Sequence, residues 1–255
     1  MTPWRTAIMS SDAKSIRARG YEITELMRKA SFTDAVFLLH QGRLPSAHER
    51  RVLDAILISV ADHSSGAPSC AAARLAASGN RQSLSAAVAA GILAVGDEHG
   101  GAGSVCMEMI AAGLESARCE PVGLDVAAAR IVAETHAAGK RIAGLGHRVH
   151  TVDPRAQALF TLAEEEGLAG DGIAFIRAIQ GALANTGKAL PINVDGALAA
   201  VLHDLGFAPS AGKLLFLVGR VAGLTAEVAE EYAREKPMRI QFDVEYDGVP
   251  PRSIE

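Results

Sequence analysis

The feature that most constrains this chain is a recurring apolar stripe. Phe32, Ala35, Val36 and Leu39 fall at i, i+3, i+4 and i+7, and the pattern repeats at Leu53, Ile56, Leu57 and Val60 and at Leu214, Leu217, Val218 and Val221. Residues so spaced share one face of an α-helix, so the chain has to bury helical stripes against other helices. Further alanine-rich helices are predicted at about 68 to 78, 82 to 95, 103 to 117, 124 to 138, 154 to 166, 171 to 186 and 195 to 206. Aromatic residues make up only 4% of the chain, which suits close helix packing and argues against an all-β sandwich. The predicted strands are short: Trp4 to Met9 and Ser15 to Arg19, joined through Ser10 to Lys14 as an N-terminal hairpin, with an extended tail after Pro237.

At 255 residues the chain has enough apolar side chains to bury a core without disulfides or a structural metal. Its three cysteines, Cys70, Cys106 and Cys119, are odd in number, lack metal-type spacing and sit among apolar neighbours, so they are expected to be reduced, buried thiols. No N-terminal apolar targeting segment and no membrane-length apolar run is present, and a cytoplasmic protein is expected. The net charge of -4 comes from interspersed acids and bases, which gives nucleic acid no basic stripe to bind.

The candidate chemistry lies at predicted helix boundaries. Two histidines are framed by glycine, in Gly96-Asp97-Glu98-His99-Gly100-Gly101 and Gly144-Leu145-Gly146-His147-Arg148, and an aspartate follows in Asn193-Val194-Asp195-Gly196. Glycine lets backbone turn sharply and approach a ligand, and two imidazoles with one carboxylate can move protons or polarise carbonyl groups. Each also has a structural alternative: His99 and His147 as packing histidines, Asp195 as the cap of the helix that follows, and His63 as a helix end or turn residue. Asp153-Pro154-Arg155 reads as N-cap, first helical residue and first-turn arginine, where backbone N–H groups favour a carboxylate. Arg155, Arg220 and Arg239 offer planar forks for a polycarboxylate. His147 and His150 do not complete a metal site, and Gly144-Leu145-Gly146 lacks the third glycine of a dinucleotide fingerprint.

Taken in order, Ala61-Asp62-His63, Glu98-His99-Gly100-Gly101-Ala102, Gly144 to Val149, Asp153-Pro154-Arg155, Asn193-Val194-Asp195 and Val218-Gly219-Arg220 resemble the citrate synthase superfamily. The resemblance implies an all-α homodimer or higher homo-oligomer with a large, dimer-forming domain (1–102 and 203–255) and a small, closing, coenzyme A-binding domain (103–202). It implies that His99, His147 and Asp195 are catalytic, with Asp195 as the base. It also implies that His63, Arg155 and Arg220 hold the dicarboxylate, that Arg239 is the arginine crossing the dimer, and that Gly144, Leu145, Gly146, Arg148 and Lys188 meet coenzyme A.

The family's synthases are longer. They commonly carry asparagines where this chain has Gly66 or Ala67 and Gly103, and an aromatic residue where it has Gly196. The short chain and Asn-Val-Asp-Gly look more like the citryl-CoA lyase branch, including the lyase module of ATP-citrate lyases. The resemblance therefore implies cleavage of a citryl-CoA-like thioester to acetyl-CoA and oxaloacetate, with the thioester as substrate and no metal or prosthetic group. The alternatives are a citrate or 2-methylcitrate synthase and a non-catalytic coenzyme A- or carboxylate-binding protein.

Overall fold

A computed structural model describes residues 3–120, 123–147 and 151–254. Among these, three short antiparallel strands, β1 (Met9–Ser11), β2 (Ile16–Ala18) and β3 (Tyr21–Glu22), precede α1 (Ile23–Lys29), α2 (Phe32–Gln41), α3 (Ala47–Ser59), α4 (Pro68–Gly79), α5 (Leu84–Leu93) and α6 (Ala102–Cys119). Then come α7 (Leu124–Ala137), α8 (Pro154–Glu165), α9 (Asp171–Ala184), α10 (Val194–Asp204) and α11 (Ala211–Arg234). The all-α expectation holds, and the predicted helix positions match within a few residues. The hairpin needs correction. Its first strand begins at Met9, where the predicted one ended, because Asp12 Oδ1 accepts the N–H groups of Lys14 and Ser15 and places the turn later. A third strand follows through Arg19 and Gly20, both at positive φ. The segment after Arg234 carries no regular structure among its described residues.

Local chemistry sets the helix starts. Ser31 with Asp34 and Ser46 with Glu49 form reciprocal capping boxes, satisfying N–H groups that have no intrahelical acceptor. Asp153 caps α8 with Pro154 at the first helical position, as its sequence predicts. Asp204, at the end of α10, accepts from the N–H groups of Gly170, Gly172 and Ile173 and so caps α9 from another helix.

Helix α10 is the hub. Val194 and every residue from Gly196 to Leu202 are buried, and α10 packs against α6, α8, α9 and α11. A helix apolar on all sides belongs in an interior, and this one fixes the position of whatever its first turn carries. Cys70 and Cys106 are buried thiols as expected, whereas Cys119 is exposed, because α6 runs past the core before it ends there. No helix among the described residues is long and apolar enough to cross a membrane.

Candidate active site

The two glycine-framed histidines and the first turn of α10 meet in one cleft of about 420 Å³, whose lining includes His63, His99, His147, Arg155, Asp195 and Arg220. Three loops supply the histidines, and α8, α10 and α11 supply Arg155, Asp195 and Arg220.

His99 sits on a closed turn in which Gly96 N–H donates to His99 O and His99 N–H donates to Gly96 O. Gly100 has φ +78°, and a Cβ there would lie 2.4 Å from the Phe216 ring, so the turn demands glycine. Ser69, at the second position of α4, fixes the ring. Its otherwise orphaned helix N–H donates to His99 Nε2 at 3.3 Å, and its hydroxyl lies 2.9 Å from the same nitrogen. With Nε2 accepting, the proton of the neutral ring belongs on Nδ1. The Ser69 hydroxyl also accepts from Arg220 Nη1 at 2.9 Å. Ser69 thus ties two predicted site residues together. It carries no motif of its own, and only the tertiary fold brings it to His99.

The loop carrying His147 is pinned beside the start of α10. Gly146 N–H donates to Pro191 O, Asn193 N–H donates to Gly144 O, and the Asn193 side chain donates to Gly146 O. Gly144 has φ +81°, and a Cβ on Gly196 would stand 2.3 Å from the Gly144 carbonyl oxygen. An aromatic side chain at 196 therefore has no place while the loop holds this position. The His147 ring meets that of His63 edge to face, with centroids 6.4 Å apart. His63 lies beyond the end of α3, which stops at Ser59, so it does not cap that helix. It follows an aspartate whose Oδ1 accepts from Ser64 N–H, with Ser64 at φ +68° in the cleft wall. Burial, then Arg155 and Arg220, lower the His63 pKa and favour its neutral form.

Asp195 does not cap α10; Asn193 does, accepting from Gly196 N–H. Asp195 occupies the first turn, partly open to the cleft, with Oδ1 fully covered and without a hydrogen-bond partner among the described residues. Burial raises its pKa, and Arg155 and Arg220 offset part of that rise. A desolvated carboxyl over a cleft is suited to exchanging a proton with carbon. Arg220, 2% exposed, donates to Val60 O and Ser69 Oγ and lies 4.8 Å over the Phe216 ring. Burial lowers its pKa, yet a guanidinium stays charged.

The remaining predicted residues are placed differently. Of the glycine loop, Gly146 lines the cleft, while Gly144 and Leu145 are buried beside it and Arg148 lies outside the described residues. Lys188 is exposed on the turn after α9 and does not line the cleft. Arg239 is also absent from the cleft of its own chain. It pairs with Glu231, which is fully buried and also takes Arg74. Among the described residues, Asp62, Cys70 and Glu227 form a group that could hold a metal geometrically, with ligand atoms within 4.8 Å of one another. There Arg74 already neutralises Glu227 at 2.5 Å, and the Cys70 thiol donates to Asp62.

The cleft, formed where helix starts and glycine turns converge on a buried α10, corresponds to a known family. The model for "Citrate synthase, C-terminal domain" matches residues 46–241, and the chain belongs to the citrate synthase family. Citryl-CoA lyase from Hydrogenobacter thermophilus is similar in structure, with a TM-score of 0.90, 38% identity and coverage of 99% of this chain and 97% of that one. ATP citrate lyase from Methanothrix soehngenii, solved with citrate and coenzyme A, shares the fold with a TM-score of 0.77 at 19% identity, over 97% of this chain and 42% of that one. The 2-methylcitrate synthase of Shewanella oneidensis is 30% identical over 220 residues, 85% of this chain and 55% of that protein. The chain thus spans about half the length of the curated relatives it matches.

Proposed function

We propose that this protein is a citryl-CoA lyase, cleaving citryl-CoA or a close analogue reversibly to acetyl-CoA and oxaloacetate. The observation that carries the proposal is the convergence of His99, His147 and a desolvated Asp195 in one cleft with Arg155 and Arg220. The likeness to the Hydrogenobacter thermophilus lyase along nearly the whole length of both chains supports it. Coenzyme A enters as part of the substrate, and no metal or prosthetic group is required by these steps.

In the cleavage direction His147 takes the proton of the tertiary hydroxyl as that carbon becomes the ketone of oxaloacetate. The carbon–carbon bond breaks, its electron pair passes to the acetyl-CoA fragment, and His99 Nδ1–H stabilises the enolate oxygen. Protonated Asp195 then delivers its proton to the enolate carbon, and condensation reverses each step. His63, Arg155 and Arg220 hold the carboxylates. Arg239 is assigned to the neighbouring subunit's site, and Gly144 to Arg148 with Lys188 to coenzyme A. Closure of residues 103–202 over 1–102 and 203–255 would exclude water and align these groups.

We also infer a homodimer or higher homo-oligomer. Helix α5 is apolar around its circumference yet leaves Leu84 59% and Leu93 83% exposed, as expected of a helix covered by a second copy. The free thiols fit a cytoplasmic location.

The reading is tested by supplying citryl-CoA without ATP and following oxaloacetate by coupled reduction, beside a reaction of acetyl-CoA with oxaloacetate monitored for free CoA. Rapid oxaloacetate release is expected. Free CoA without oxaloacetate release from citryl-CoA would favour the synthase alternative, and silence in both reactions would favour a binding protein. Within the same assay, Ser69→Ala should lower kcat by about tenfold, because His99 loses the hydroxyl that orients it while the backbone donor stays.

A further inference from the structure

We propose that Asp153 is a positioning residue that couples the substrate-holding arginine to the helix start carrying the base. This rests on the roles proposed above for Arg155 and Asp195. Asp153 is 1% exposed, and its carboxylate receives donors from the first turns of two helices. Oδ1 accepts from Arg155 N–H and from Arg155 Nε, both at 3.0 Å. Oδ2 accepts from Arg155 Nη2 at 2.9 Å and from the Val194 N–H at 3.0 Å. Val194 is the residue before Asp195.

Capping α8 requires one oxygen, and serine or asparagine serves that purpose as well. The excess is informative. A bidentate fork and a fourth donor from α10 require both carboxylate oxygens, and the charge keeps the Arg155 guanidinium compensated where it meets the cleft. Burial alone would raise the Asp153 pKa, but the bonds from Arg155 and the backbone donors outweigh it and hold the group ionised. A carboxylate ligand that draws on Arg155 therefore acts through Asp153 on Val194, and the arginine and the base are set in register by one shared anion. The sequence shows the capping role of Asp153; its reach to α10, 41 residues away, exists only in the fold.

The experiment compares Asp153→Asn and Asp153→Ser, both good helix caps, with Arg155→Gln, which keeps the bond to Val194. Thermal melts establish that the variants fold. Arg155→Gln should raise KM for citryl-CoA about 10- to 100-fold with kcat reduced only several-fold. Both Asp153 variants should lower kcat by about 100-fold, the scale of a misplaced catalytic group. A pure KM effect, or unchanged kinetics, in an active preparation would overturn the proposal. If the wild-type protein does not cleave citryl-CoA, the lyase reading fails separately, and hydrogen exchange then decides the coupling. Oxaloacetate should slow exchange at Val194 to Ala197 in the wild type and not in Asp153→Asn, whereas equal protection in both, or none in either, would overturn it.

Discussion

Asp195→Asn is expected to abolish carbon–carbon cleavage while making the protein more stable. Loss of a positioned acid–base group removes on the order of 100- to 10,000-fold in rate, and asparagine cannot supply the proton. Stability moves the other way because Oδ1 is covered and has no hydrogen-bond partner among the described residues, and burial raises the pKa of the folded carboxyl above that of the unfolded chain. As pH rises above the ordinary aspartate value, the unfolded chain gives up its proton while the folded one retains it. Stability therefore falls between the unfolded pKa and the raised folded one, and asparagine escapes this loss. A charged group left unsatisfied costs about 1 kcal/mol or more, which corresponds to a rise in Tm of roughly 2 to 4 °C at neutral pH. Calorimetry beside the kinetic assay checks both halves. The same titration predicts that cleavage, which needs protonated Asp195, weakens on the high-pH side, whereas condensation, which needs the carboxylate, weakens on the low-pH side. Equal Tm values for the two proteins would show that the carboxylate is not destabilising.

Arg220 is the second position of large effect. Its guanidinium bridges Val60 O and the Ser69 hydroxyl and covers Phe216 before meeting any ligand, so it is oriented in advance. Arg220→Met should weaken oxaloacetate binding, measured by titration calorimetry, by about 100-fold or more, the scale of losing a buried charge partner. Arg220→Lys should recover little, because one ammonium cannot reproduce the planar fork. Full recovery by lysine would reduce Arg220 to a point charge and remove the argument from orientation.

The sequence predicted these features unevenly, for physical reasons. Long periodic helices were legible because burial acts along a whole face, and the Asp153-Pro154 start because capping is local. Helix α1 was not legible, since seven residues with only Leu26 buried carry no period. That Asn193 rather than Asp195 caps α10 was not legible either, because both carry oxygen acceptors near the same helix start. Gly196 could be seen as a departure from the synthases, but its reason, a backbone contact with a loop some fifty positions earlier, is tertiary. Ser69 and the second bond of Asp153 share that character. Their chemistry is ordinary, and proximity alone gives them roles.

The most direct test of the central claim is the cleavage of citryl-CoA in heavy water with mass analysis of the products. The mechanism predicts oxaloacetate together with acetyl-CoA bearing one deuterium on its methyl carbon, delivered from the exchanged Asp195 carboxyl, and neither product from Asp195→Asn. Release of citrate and free CoA without labelled acetyl-CoA would contradict it, since the thioester would then have been hydrolysed and the carbon–carbon bond left intact.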